Sequence, residues 1–104
     1  MSQPTPAIGR IVHYRLSQHE ADAVNRRRQD FRESGSAAAR TGFVGHFGNR
    51  VEEGDVFPAV IVRVWSESTV TINAQVFLDG TDVLWATSRA EGSKPGTWAW
   101  PERV

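Results

Sequence analysis

Three closely spaced segments between residues 57 and 88 constrain the fold more than any other part of the sequence. Each is rich in β-branched or aromatic residues, and only short turns containing Ser, Asp or Gly separate them. We therefore predict strands over 57–65, 70–78 and 83–88. Because such short turns leave no room for a crossover helix, the three strands should form an antiparallel meander.

Alternation predicts which side chains of these strands share a face. For the first strand, two faces are expected: Val60, Val62 and Val64 on one, and Ala59, Ile61, Arg63 and Trp65 on the other. The second strand should have an apolar face and a mostly polar face, and the polar face includes Asn73 and Gln75. One face of the sheet should therefore be buried and the other solvated.

The N-terminal third of the chain indicates a short strand followed by one helix. About six residues from Arg10 onward have the β-branched and aromatic character of a strand. Ser17 and Glu20 then have the three-residue spacing of a capping box, which marks a helix start. We predict a helix over 18–33 with Gly35 as a natural stop, and residues 34–40 could form a linker or one further helical turn.

The remaining segments complete a single domain over 1–104. Residues 1–8 are expected to form a flexible arm and 34–56 a long Gly-rich loop, while Trp98 and Trp100 suit a last short strand. With about five strands and one helix, the fold should be mainly β, of the α+β class. It should be a small antiparallel rolled sheet or an SH3-like barrel.

Several classes of functional site lack their residues in this sequence. There is no cysteine, which excludes a disulfide and a thiolate zinc site. His13, His19 and His46 lack metal-ligand spacing and no nucleophile motif accompanies them, so we predict no catalytic residue, metal or cofactor. No run of about 20 apolar residues and no signal peptide is present, which favours a soluble, intracellular protein without a membrane partner.

The charge is balanced overall but unevenly distributed. Residues 1–40 hold seven Arg against four acids, a net charge of +3, and residues 41–104 hold five bases against eight acids, a net charge of −3. The densest basic cluster, Arg26 to Arg28, could be a solvated helix face or a surface for phosphate or an acidic partner. Nucleic-acid binding is disfavoured because the domain is neutral and its tryptophans lie in the acidic half.

The sequence contains more tryptophan than one small core can bury. All four lie in the last forty residues, at Trp65, Trp85, Trp98 and Trp100. Packing in the core or at a subunit interface explains most of them, but at least one should be partly exposed. An exposed indole beside Arg63 or Arg89 would form a stacking platform for a base or another planar ligand. Asn73 and Gln75 would then be placed to hydrogen-bond that ligand.

Several short motifs are spread along the chain. They are Gly9-Arg-Ile-Val-His-Tyr14, Gly48-Asn with Gly54-Asp, the strand Pro58 to Trp65, Gln75-Val-Phe-Leu-Asp-Gly80 and the terminal Pro95 to Arg103. Together they resemble a group of small proteins encoded by tailed phages and prophages. In the most specific motif, Gly-Thr-Trp-x-Trp-Pro-Glu-Arg, Ala99 stands where relatives commonly have His. The resemblance implies a virion part, a regulatory accessory, or an oligomer that sequesters nucleotide signals of host immunity.

These observations lead to one main hypothesis and two alternatives. The main hypothesis is a non-enzymatic, homo-oligomeric phage protein that captures a small anionic, nucleotide-like ligand in the cytoplasm of the infected host. The expected ligand-binding residues are Arg26, Arg27, Arg28, Arg63, Trp65, Asn73, Gln75, Trp85, Arg89, Trp98 and Trp100. The first alternative is a virion-associated or assembly protein that contacts a phage structural protein, and the second is a DNA-associated regulator. All three use the same residue types, so the sequence leaves them open.

Overall fold

The computed structural model describes residues 5–40, 47–65 and 70–102. One helix and five strands form in chain order: β1 (Ile11–Arg15), α1 (Gln18–Arg40), β2 (Val56–Val64), β3 (Ile72–Phe77), β4 (Val83–Arg89) and β5 (Trp98–Ala99). The first residues of the predicted arm, His46 with the adjoining part of the Gly-rich loop, and the predicted turn at 66–69 lie outside the described residues.

The strands form one antiparallel sheet in the order β4-β3-β2-β1-β5, which confirms the predicted meander and the mainly β fold with one helix. The sheet curls so that its two edge strands meet at one end. There, Trp98 of β5 forms a bridge to Glu91, just beyond β4, and Trp98 N donates to Ala90 O at 3.2 Å. The curl confirms the predicted rolled sheet.

The hydrophobic core lies on the inner face of this curled sheet. All strands contribute to it, and α1 adds Ala21 and Val24. The largest apolar side chains of the core are Val12, Tyr14, Leu16, Ile61, Ile72, Val76 and Trp98. Since α1 packs against the inner face, the opposite face of the sheet, called here the outer face, is left open.

An irregularity in β2 changes which residues lie on the outer face. The pairing of β2 with β3 shifts between Ile61 and Arg63, so that Arg63 lies opposite Asn73 and Val64 opposite Ile72. An extra residue in one strand reverses the faces of the residues that follow it. The predicted alternation is therefore wrong beyond Val62: Val64 packs against the core, whereas Arg63 and Trp65 join the outer face.

The capping box at the start of α1 is confirmed. Ser17 Oγ accepts a hydrogen bond from Glu20 N at 3.2 Å, and Ser17 N donates to Glu20 Oε1 at 3.0 Å. Gly35 does not end the helix: α1 continues to Arg40, so residues 34–40 are helical rather than a linker. A glycine costs a helix only about 1 kcal/mol relative to alanine, and the alanines that follow it in the sequence are the strongest helix formers.

The predicted loop over 34–56 is correspondingly shorter than expected. It begins beyond Arg40, and its described part, 47–55, lies against the turn between β3 and β4 through a bridge between Gly48 and Gly80. A side chain at Gly80 would collide with the backbone of Phe47 and Gly48, so the close approach requires glycine. Over the described ranges, no helix has both the length and the apolar character needed to cross a bilayer.

Candidate functional site

The pairing of three strands builds the centre of the outer face. Val60 of β2 lies opposite Gln75 of β3, and Gln75 lies opposite Trp85 of β4. Directly opposed side chains of an antiparallel sheet are in contact distance, so the Gln75 amide lies beside the Trp85 indole. Trp85 is 63% exposed, which confirms that the core does not take up all four tryptophans.

Trp65 follows β2 directly, beyond the shift in its pairing, and also lies on the outer face. Trp65 is 49% exposed, and the Arg63 guanidinium carbon lies 4.6 Å from the centre of its ring. Trp65 Nε1 donates a hydrogen bond of 2.9 Å to Asn73 Oδ1. Since Asn73 and Gln75 are two residues apart on the same face of β3, Arg63, Trp65, Asn73, Gln75 and Trp85 form one surface, called here the outer-face cluster.

The Asn73 amide oxygen holds this cluster to the sheet. It accepts from Trp65 Nε1 and also from Ser88 N at 2.7 Å. Ser88 has a φ of 54°, which is strained for a residue with a side chain, and the pairing of β3 with β4 shifts at the same level. The buried Asn73 therefore stabilises two irregularities and orients the Trp65 indole.

Six of the eleven predicted ligand-binding residues lie outside the outer-face cluster, and three of them are on or near β4 and β5. Arg89 NH2 bonds to Glu20 Oε2 at 3.1 Å, which ties β4 to the start of α1. Trp98 is 1% exposed, and its Nε1 donates to Val70 O at 2.8 Å, so its predicted place on a binding surface is wrong. Trp100 packs edge-on against Trp98, with ring centres 5.5 Å apart.

The arginine cluster of α1 also lies apart from the outer-face cluster. Arg28 is buried and bonds to Asp82 at 2.8 and 3.1 Å, so its charge is already paired. Arg26 is exposed and Arg27 partly buried. Because α1 packs on the inner face, the three arginines of one chain do not extend over Trp65 and Trp85.

A buried polar network that the sequence analysis missed connects β1, α1 and β4. Tyr14 OH donates to both oxygens of Glu20, at 2.7 and 2.8 Å, and Arg89 donates to the same carboxylate. Burial, the hydrogen bond and the charge of Glu20 together raise the pKa of Tyr14 far above its ordinary value. The capping box signalled where Glu20 lies, but nothing local indicated its partners Tyr14 and Arg89.

A cleft of about 380 Å³ beside β5 was also not predicted. Residues of the terminal motif, Thr97, Ala99 and Trp100, line it together with His13 and Arg15 of β1. The buried Trp100 Nε1 has no hydrogen-bond partner in the part of the chain that is described. Because that atom is buried, the cleft gains no accessible donor from it, and the two exposed indoles are on the outer face.

Comparison of the chain with protein-family models, with curated proteins and with solved structures finds no match.

Proposed function

We propose that this protein is a non-enzymatic binding protein that captures a planar, anionic, nucleotide-like ligand on the outer-face cluster. The observation that carries the proposal is that two exposed indoles, Trp65 and Trp85, share one rigid sheet surface with Arg63. Rigid strands hold these groups in place before a ligand arrives, which reduces the entropy lost on binding.

Each group in the cluster fits one part of such a ligand. An indole face stacks on a base with about 1–3 kcal/mol, and an arginine forms charge-assisted hydrogen bonds to phosphate. Gln75 beside Trp85 supplies both an amide donor and an acceptor for the edge of a base. Binding of this kind needs no catalytic group, and it suits the sequestration of a nucleotide signal by a phage protein.

Native mass spectrometry with a panel of cyclic and NAD-derived nucleotides tests the proposal. We expect whole-number nucleotide adducts on a defined homo-oligomer or monomer. Trp85→Ala and Arg63→Ala should each weaken binding by roughly tenfold, the loss expected for one stacking or charged contact. Ile11→Ala is the matched control, because Ile11 is exposed on the outer face but belongs to β1, away from the cluster.

Two outcomes contradict the proposal. The first is an unmodified protein across the whole panel. The second is a nucleotide adduct whose stability is the same in wild type, Trp85→Ala and Arg63→Ala, because the ligand would then lie elsewhere.

A protein partner is the second candidate function, and the exposed apolar side chains beside the outer-face cluster favour it. Ile11, Val62, Phe77 and Val83 lie on this face and are between 41% and 58% exposed. Contiguous exposed apolar side chains are typical of protein interfaces. A phage structural protein or another copy of this chain would suit such a surface. Phe77→Ser, which adds no charge beside the outer-face cluster, should then weaken co-sedimentation with purified particles, or reduce the oligomer, while nucleotide adducts persist.

A further inference from the structure

A groove lies between α1 and residues 48–50, on the helix side of the molecule, and encloses about 470 Å³. Four residues of α1 and two of the loop form most of its wall: Asn25, Arg26, Gln29, Arg32, Gly48 and Arg50. Since α1 covers the inner face of the sheet, this groove is separate from the outer-face cluster.

Buried and partly buried contacts fix the two walls of the groove relative to each other. Arg28, below the groove, bonds to Asp82 and also donates to the backbone oxygen of Asn49. Asn25 holds the loop two residues further on, because its Nδ2 donates to Val51 O at 2.8 Å and its Oδ1 accepts from Val51 N at 3.1 Å. The loop wall is therefore held on the helix by side chains from two successive turns.

The groove carries an excess of positive charge. None of the described residues that line it is acidic, whereas Arg26, Arg32 and Arg50 all contribute guanidinium groups. Arg28 adds little, because Asp82 neutralises it. Within the described residues, Arg26 and Arg50 form no ion pair or hydrogen bond, and Arg32 donates only to the neutral Gln29 amide at 3.1 Å.

Arg50 and Asn25 also border a neighbouring cleft with acidic side chains, but two carboxylates of α1 near the groove bind amides rather than its arginines. Glu33 accepts from Gln29 Nε2 at 2.9 Å, and Asp22 accepts from Gln18 Nε2 at 2.8 Å. A compact anion with several oxygens would meet three arginines and the amides of Asn25 and Gln29. Guanidinium groups match phosphate oxygens in two-point geometry, and a diphosphate offers enough oxygens for more than one arginine.

The geometry points to a second binding site in this groove, for the diphosphate or polyphosphate group of a small ligand, with Arg26, Arg32 and Arg50 as its anchors. This site stands apart from the proposed nucleotide site, because it has no tryptophan and lies on the other side of the sheet. Either site can exist without the other.

Calorimetric titration of the full chain with inorganic pyrophosphate tests this site. We expect binding of one pyrophosphate per chain, tighter than that of sulfate. Arg50→Ala and Arg26→Gln should each weaken binding by roughly tenfold, because each removes one charge-assisted contact. Lys94→Ala is the matched control: it removes an exposed cation from the loop between β4 and β5, outside both proposed sites, and should leave pyrophosphate affinity unchanged.

Thermal unfolding of each variant separates loss of binding from loss of structure. Arg26 is exposed on the helix and glutamine is a good helix former, so Arg26→Gln should melt with the wild type. Three results overturn the site: no heat with pyrophosphate, equal affinity for sulfate and pyrophosphate, or the same loss in Lys94→Ala as in Arg26→Gln. Retention of a DNA duplex without pyrophosphate binding also overturns it, in favour of a DNA surface.

Discussion

Arg28 and Asp82, 54 residues apart in the chain, form a two-point ion pair between α1 and the turn that joins β3 to β4. Arg28 NH2 lies 2.8 Å from Asp82 Oδ1, Nε lies 3.1 Å from Oδ2, and both side chains are 2% exposed. Since Arg28 also bonds to Asn49 O, the pair joins the helix, the loop and the sheet.

Removing the carboxylate of this pair should be strongly destabilising. Asp82→Ala leaves a buried guanidinium without its counter-charge, which costs about 3–5 kcal/mol of unfolding free energy. Chemical denaturation measures this cost. The control is Asp79→Ala, which removes an exposed carboxylate from the same turn and should cost less than about 1 kcal/mol. Equal losses in the two variants would contradict a special role for the buried pair.

The Arg28–Asp82 pair predicts how the free energy of unfolding depends on pH. Burial raises the pKa of Asp82, but the hydrogen bond and charge of Arg28 outweigh it, so the pKa lies below its ordinary value. The unfolded chain therefore takes up a proton at a higher pH than the folded chain does. The contribution of Asp82 is complete above its unfolded pKa of about 3.9 and is lost as the pH falls through the folded pKa.

Unfolding free energies measured from about pH 5 down to pH 1 check this dependence. Asp82→Asn has no titrating group at the position, so its stability should fall less steeply than that of the wild type. If both proteins lose stability in parallel, Asp82 is not the group responsible.

Tyr14 should titrate only when the protein unfolds. It is the only tyrosine of the chain, so phenolate absorbance reports on it alone. Burial and then the hydrogen bond to Glu20 raise its pKa, so the native protein should show no phenolate near pH 10, where an exposed tyrosine ionises. The stability from the raised pKa is present below about pH 10 and is lost as the pH rises further. Tyr14→Phe should remove this alkaline loss. A phenolate signal near pH 10 in folded protein would contradict the buried network.

The strands and the helix start could be predicted because they depend on residues close in sequence. Alternation predicts roughly where the three strands of the meander begin and end. Ser17 and Glu20 form the expected capping box. The face of Arg63 and Trp65 could not be predicted, because a single extra residue in β2 reverses it and alternation has no signal for such a residue.

The long-range contacts of the candidate site could not be predicted from the sequence pattern either. Trp98 is buried because the sheet curls and brings β5 to the end of β4, which depends on the whole fold. Arg28 faces the sheet, where it forms an ion pair with Asp82. Arg26, two residues earlier in the same basic run, faces solvent. The composition predicted a stacking surface, but only the fold separated Trp65 and Trp85 from Trp98.

The tryptophans should differ sharply in their effect on stability. Trp98→Ala removes a fully buried indole and leaves Val70 O without its donor, so it should cost about 3–5 kcal/mol. Trp85→Ala changes an exposed side chain and should cost less than about 1 kcal/mol. The denaturant midpoints of the Trp98→Ala and Trp85→Ala variants measure this difference in stability. A large loss in Trp85→Ala would mean that Trp85 packs in an interface, which favours the protein-partner function.

Asn73 links the stability of the sheet to the shape of the outer-face cluster. Its Oδ1 accepts from both Ser88 N and Trp65 Nε1, so Asn73→Ala removes two hydrogen bonds and leaves the Ser88 amide without this acceptor. We expect a loss of about 2 kcal/mol in unfolding free energy and greater quenching of tryptophan fluorescence, because Trp65 loses its anchor. Asn73→Asp keeps an acceptor at the same place and should retain most of the stability. If the alanine and aspartate variants are equally stable, the two bonds do not hold the irregular strands together, and the orientation of Trp65 must come from its contact with Arg63.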